Sequence, residues 1–200
     1  MFSSYYLTKG ACKERLKLKH ERKLKVLCLH GYNTDANVME YQMRHFRAVF
    51  HEVMEFTIVN APFDCEDAPP RELQKKFFPE QPSAKFKSWL KFHSWLPTEE
   101  KKFESPDVVF GHEECVDYLV DIMRSEGPFD GVLCFSQGGI IFRHFHRITQ
   151  EIDPQAFALP GASDGRQTFQ MPKFMISVAS PVFPKMRFRY KNDEYAQRLT

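Results

Sequence analysis

The sequence predicts an α/β fold, a mostly parallel sheet covered by helices on both faces. Three observations predict it. Short apolar runs recur at Leu24–Leu29, Phe56–Asn60, Phe129–Phe135 and Phe174–Ala179. Segments of helical periodicity separate most of them, and Gly and Pro punctuate the junctions. Strands that read as continuous apolar runs and alternate with helices are those of a parallel sheet buried on both sides.

The first 23 residues read as a basic arm. From Lys9 to Lys25 there are eight Lys or Arg against Glu14 and Glu21. A solvated arm preceding the first strand is one reading, and a localisation signal or a contact with an anionic surface is the other. Residues 24–200 then form a single, partial α/β domain. Leu24-Lys-Val-Leu-Cys-Leu-His30-Gly31-Tyr32-Asn33 is an apolar strand that runs into His-Gly. Asn37-Val-Met-Glu40 has capping-box spacing. Val38, Met43, Phe46, Phe50 and Val53 follow at helical periodicity. Phe56–Asn60 is a short strand closed by Ala61-Pro62.

Between residues 63 and 106 the alternation stops. This insert is rich in Pro and aromatics, with Pro69-Pro70, Phe77-Phe78, Trp89, Phe92 and Trp95. Long loops in a compact domain carry function or are disordered, and so many aromatics argue against disorder. Two readings stand side by side. Trp89, Phe92 and Trp95 form a lid or acyl-pocket wall, or the segment is an excursion whose aromatics pack onto the core. Beyond it, Cys115, Tyr118, Leu119, Ile122 and Met123 make the apolar stripe of a helix that Gly127-Pro128 ends. Residues 150–172 read as a polar connection before the strand Phe174–Ala179.

The chemistry concentrates at Phe129-Asp-Gly-Val-Leu-Cys-Phe-Ser136-Gln137-Gly138-Gly139. A strand delivers a serine to a tight turn, and small residues let the chain fold back into a helix, which is the layout of a nucleophile elbow. Aligned amides at that helix start, equivalent to about half a positive charge, favour an anion beside the serine. Cys134 stands where the G-x-S-x-G pattern has its first glycine. An ordinary strand-to-helix junction would also accommodate this serine. The early strand ending in His30-Gly31 changes the balance. On folds with such elbows, one oxyanion donor comes from a loop after an early strand and the other from the residue after the nucleophile. Here they are the backbone amides of Tyr32 and Gln137. Gly31 permits a close approach, and the His30 ring reads as a satisfied strand-end imidazole.

These segments together resemble the FSH family of serine hydrolases, of the ovarian-cancer-associated protein 2 type. The matching pieces are Leu27–Tyr32, Val59-Asn-Ala-Pro-Phe63, Gly127–Gly139 with its Gly-Pro-Phe-Asp-Gly lead, and, more loosely, Phe174–Pro181. The resemblance implies an α/β-hydrolase fold and a Ser-Asp-His hydrolase of carboxylic esters that needs no cofactor. It also implies that the acid and histidine come after the strand Phe174–Ala179. The sequence ends at Thr200, so a C-terminally shortened hydrolase is expected, its last strands and its triad Asp and His missing. His144 and His146 do not replace them. At 1.5 Å per residue, His144 lies about 12 Å along the helix from Ser136. Asp153, Asp164 and Asp193 precede the expected position of the acid. His93, in the insert, is the remote candidate for a substitute base.

Other features bound the reading. A net charge of +2 gives no ground for nucleic acid binding. Five scattered cysteines without CxxC spacing suit a reducing compartment, so a cytoplasmic setting is expected, with a nuclear one suggested by the basic arm. No apolar stretch reaches membrane-span length. His112-Glu-Glu-Cys115 lacks a metal-ligand spacing and reads as a solvated helix start; no metal is expected. The function expected is hydrolysis of a small ester or thioester with a hydrophobic acyl chain, through an acyl-enzyme on Ser136. The alternative is an inactive, shortened hydrolase fold acting as a binding module, with a homodimer as the way to cover its exposed edge.

Overall fold

The computed structural model describes residues 22–81, 84–92, 108–152, 169–180 and 187–188. Its centre is a parallel sheet. Strand β1 (Leu24–Leu29) is followed by helices α1 (Ala36–Gln42) and α2 (Arg44–Phe50) and by strand β2 (Met54–Val59). The insert adds β3 (Phe63–Asp64), α3 (Arg71–Phe77), β4 (Lys87–Ser88), β5 (Lys91–Phe92) and β6 (Val108–Phe110). Helix α4 (His112–Ser125), strand β7 (Gly131–Phe135) and helix α5 (Gln137–His146) come next. A π-helical turn at Arg147–Ile152 extends α5, and β8 (Phe174–Val178) and β9 (Arg187–Phe188) complete the described elements.

The main sheet has the order β2-β1-β7-β8, every pair parallel. Val26, Leu27, Cys28 and Leu29 of β1 are each 0% exposed, as a central strand with both faces covered must be. The period of two divides them. Val26 and Cys28 join Met39, Met43 and Leu133 on one face. Leu27 and Leu29 join Trp89, Leu119, Val132, Cys134 and Ile141 on the other. The amphipathic α4 covers that second face with Cys115, Val116, Leu119, Val120, Ile122 and Met123. None of the described helices is long and apolar enough to cross a membrane.

The motif Gly-Pro-Phe-Asp-Gly explains itself at the opposite end of the sheet from Ser136. Asp130 accepts from Lys25 N at 2.8 Å and from both Arg22 guanidinium nitrogens, at 2.6 and 2.8 Å. Its own backbone bonds to Lys25 and Lys173. One residue thus fastens the starts of β1, β7 and β8. The Arg22 hydrogen bond, with help from Lys25 N, holds its carboxyl below the usual carboxylate range.

Several expectations need correction. The first helix is capped by Asp35, whose carboxylate accepts from Val38 N at 2.9 Å, and not by Asn37. It also breaks at Met43, whose ψ of −4° ends one helix and begins the next; the apolar periodicity runs straight through because both halves face β1 and β2. The insert is no plain loop. Phe63 and Asp64 pair antiparallel with Ser88 and Lys87, and β5 pairs with β6. Its aromatics Phe86 and Trp89 are each 0% exposed.

Candidate active site

The register of the sheet brings the two predicted motifs together. Leu29 lies opposite Cys134 in the parallel β1–β7 pair, so the residues that follow each of them, His30-Gly31 and Phe135-Ser136, lie side by side at the end of that pair. An ideal Cβ placed on Gly31 would lie 3.4 Å from Ser136 Cβ and 3.1 Å from the Phe135 ring. The bare Gly31 backbone therefore borders the serine directly.

Ser136 itself has φ 49° and ψ −114°. Positive φ costs a residue with a Cβ on the order of 1–3 kcal/mol, and surrounding bonds hold it there. Ser136 N donates to Val178 O of β8 at 2.9 Å, and Gly139 N donates back to Ser136 O at 3.0 Å. This is the strand–turn–helix geometry of a nucleophile elbow. The glycines after it serve close packing. A Cβ on Gly138 would stand 2.8 Å from His30 O and still closer to Leu29 O, while one on Gly139 would collide with Ser180. Cys134, in place of the usual first glycine, is fully buried beside Leu29 and Ile141, and the core accommodates its short side chain.

The His30 ring is satisfied on both sides. Ala61 N donates to Nε2 at 2.9 Å, so Nε2 is unprotonated. The proton is then on Nδ1, which donates to Gly31 O at 2.7 Å. Burial lowers the His30 pKa to about 4, so the ring is neutral near pH 7. Thr34 Oγ1 also donates to Gly31 O, at 2.8 Å. Holding that carbonyl fixes the peptide plane whose other end is the Tyr32 N–H, the predicted oxyanion donor. The Tyr32 hydroxyl donates to Asp67 at 2.6 Å and Asn33 Nδ2 donates to Ala68 O at 3.0 Å, tying the loop to the insert. Burial, then Asp67, pushes the Tyr32 phenol above its ordinary pKa.

Gln137, the other predicted donor, is 2% exposed. Its Oε1 accepts from Trp89 N at 2.8 Å and Ser88 Oγ at 3.2 Å, and its Nε2 donates to Leu90 O at 3.4 Å. Trp89 departs from its expected place in a lid. It is a core residue whose ring lies 5.4 Å from that of His30 and whose Nε1 donates to His30 O at 2.9 Å. Its size and its one N–H are both satisfied inside. Phe92 pairs with Val109 in β5–β6; Trp95 and His93 lie outside the described residues, as do Cys12, Asp153, Asp164 and Asp193. The anchoring roles of Trp89, Asp130 and the Gln137 amide escaped sequence reasoning. A glutamine immediately after the serine, on a helix face that must be buried, was the available signal.

The remaining candidates fall elsewhere. His112 is not at a solvated helix start. It is 0% exposed and meets His144 edge-to-face at 5.0 Å between ring centres. Gly111, at φ 77°, turns the chain so that His112 enters the interior. Burial first, then His112, lowers the His144 pKa to about 3. Burial likewise raises the thiols of Cys28, Cys115 and Cys134, which makes them inert hydrophobes. Among the described residues no three His, Cys, Asp or Glu side chains cluster as a metal site.

Residues 19–199 match the family described as serine hydrolase (FSH1). The chain is 31% identical over 132 residues to Esterase CG5412 of Drosophila melanogaster, covering 64% of this chain and 43% of the fly protein. It is 28% identical over 145 residues to Esterase OVCA2 of Homo sapiens, covering 70% of this chain and 61% of the human one. Esterase alnB of Emericella nidulans is 28% identical over 117 residues, 58% of this chain and 34% of that protein. The chain thus spans less than two thirds of these curated relatives.

Proposed function

Because this chain belongs to the FSH1 serine hydrolase family, we propose that it cleaves a carboxylic ester or thioester through an acyl-enzyme on Ser136. Ser136 Oγ attacks the carbonyl carbon and its proton passes to a base. The oxyanion is held by the N–H groups of Tyr32 and Gln137, and collapse expels the alcohol or thiol. Water then attacks the acyl-enzyme by the same route and releases the acid. The observation that carries this reading is the Ser136 backbone, at φ 49° and ψ −114° in the turn that leads into α5, with Gly31 against it. A hydrophobic acyl chain is proposed because the insert, rich in aromatics, joins the oxyanion loop, Lys87 N donating to Thr34 O at 2.8 Å.

Neither ring nitrogen of His30 can take the Ser136 proton, since one accepts from Ala61 and the other donates to Gly31. His144 faces His112. We propose His93, four residues beyond Trp89 in the sequence, as the base. The same observations favour a second reading, in which the chain binds acyl ligands without turnover.

A fluorophosphonate probe on the purified chain separates the two. An adduct mapped to Ser136, absent in Ser136→Ala and lost or slowed at least a hundredfold in His93→Ala, is expected. A label that survives His93→Ala would move the base to another histidine, including one from a second copy. A folded wild-type chain that takes no label would leave the binding reading.

A further inference from the structure

Trp89 is bonded to both halves of the proposed oxyanion slot. Its indole N–H donates to His30 O at 2.9 Å, and its backbone N–H donates to Gln137 Oε1 at 2.8 Å. We infer that Trp89 is a positioning residue that fixes the spacing between the Tyr32 and Gln137 amides. The inference rests on the hydrolase reading for its catalytic consequence, though the brace itself is a matter of structure.

Consider each half in turn. On the β1 side, the His30 carbonyl is held by Trp89 and the Gly31 carbonyl by His30 Nδ1 and Thr34. Two consecutive peptide planes are thereby fixed, and the second of them carries the Tyr32 N–H. On the β7 side, the Gln137 side chain reaches into the turn between β4 and β5, where Ser88, Trp89 and Leu90 take up its amide. Both anchors end on one turn, and that turn is rigid. Ser88, Trp89 and Leu90 are 3%, 0% and 1% exposed, and Cys115 on α4 donates its S–H to Trp89 O. Oxyanion donors contribute only when they meet the developing charge at hydrogen-bond distance. β1 and β7 already pair in the sheet, but their strand bonds stop before Gly31 and Ser136. The indole is what continues the connection past the strand ends. Phenylalanine would fill most of the same space without the N–H, and would leave His30 O buried without that donor.

The test is Trp89→Phe, read in two ways. The backbone amide signal of Tyr32, followed by NMR and hydrogen exchange, is expected to shift and to exchange at least tenfold faster, while amides in β2, and that of Gln137, whose side chain keeps its bond to the residue 89 N–H, stay as in the wild type. Fluorophosphonate labelling is expected to lose about tenfold in its maximal rate, with the concentration for half-maximal rate unchanged, because donors misplaced from the oxyanion weaken the reaction and not the encounter. If Trp89→Phe does not fold, benzothienylalanine at position 89 keeps the bicyclic shape and still removes the N–H. An unchanged Tyr32 amide overturns the inference. So does an unchanged labelling rate when the wild type labels. If the wild type takes no label, the hydrolase reading fails, and the amide signals alone decide whether Trp89 is the brace.

Discussion

The Ala61 N–H donates to His30 Nε2 across 2.9 Å, and this bond settles which nitrogen of a fully buried imidazole carries the proton. It joins the loop after β2 to the loop after β1. Protonating His30 would put a second N–H against the Ala61 N–H.

The consequence is a pH dependence of known sign. Burial lowers the His30 pKa from 6.5 to about 4. As pH falls from 6.5 to 4, the unfolded chain takes up a proton that the folded ring refuses, so stability is lost on acidification, on the order of 3 kcal/mol in full. Urea denaturation followed from pH 7 to pH 4 is expected to show a slope shallower by about one proton in His30→Gln than in the wild type. Equal slopes would mean that His30 titrates as it does in the unfolded chain.

Asp130 makes a different kind of contribution. Its carboxylate accepts from Lys25 N at the start of β1, and its side chain is only 11% exposed while Arg22 is 63% exposed. Asp130→Ala is expected to cost about 2 kcal/mol, most of it from the stranded Lys25 N–H, and to lower the urea midpoint accordingly. Arg22→Ala should move that midpoint far less, because an exposed ion pair contributes little. Since the Asp130 pKa is depressed, its contribution is full above the unfolded value of 3.8 and disappears as pH falls through the folded one. A larger effect from Arg22→Ala than from Asp130→Ala would reverse the assignment.

Much of this was legible in the sequence, and for a physical reason. Val26–Leu29 of β1 and Val132–Cys134 of β7 are buried on both faces, so those runs are apolar throughout, and a parallel sheet follows from strands alternating with helices. Ser136 and His30-Gly31 were found because each motif ends its strand, and register then places such ends together. What the sequence hid were bonds between segments far apart in the chain. Trp89 looked like a lid because a bulky aromatic in a Pro-rich insert carries no sign of direction; its bond to His30 spans 59 positions. His112 looked solvated because Glu113 and Glu114 follow it, yet Gly111 turns the chain so that the histidine enters the core, as Cys115 does one turn later. Asn37 looked like a cap because its spacing to Glu40 fits, but Asp35 lies nearer the turn and reaches Val38 N first.

The two glycines beside the elbow should differ in their tolerance of a methyl group. At Gly138 a Cβ would press on the backbone oxygens of Leu29 and His30, which cannot move without displacing β1. At Gly31 its nearest neighbour is the Phe135 ring at 3.1 Å, a side chain that can shift. Gly138→Ala is therefore expected to destabilise by about 2–3 kcal/mol and Gly31→Ala by about 1 kcal/mol or less. Thermal denaturation of the two variants checks the order, and equal losses would show that α5 can slide away from β1.

Ser136 holds a conformation that its Cβ disfavours, and substitution can separate that strain from its chemistry. Both Ser136→Ala and Ser136→Gly remove the hydroxyl, so both should abolish fluorophosphonate labelling. They differ in backbone terms. Alanine keeps the strain at φ 49° and ψ −114°, on the order of 1–3 kcal/mol. Glycine relieves it and gives back only about 0.5–1 kcal/mol through the greater freedom of the unfolded chain. Ser136→Gly is accordingly expected to be the more stable of the two by about 1 kcal/mol in urea denaturation. If Ser136→Ala were equally or more stable, the elbow would not be strained, and the bonds from Ser136 N to Val178 and from Gly139 N to Ser136 would be following a relaxed turn instead of holding a tense one.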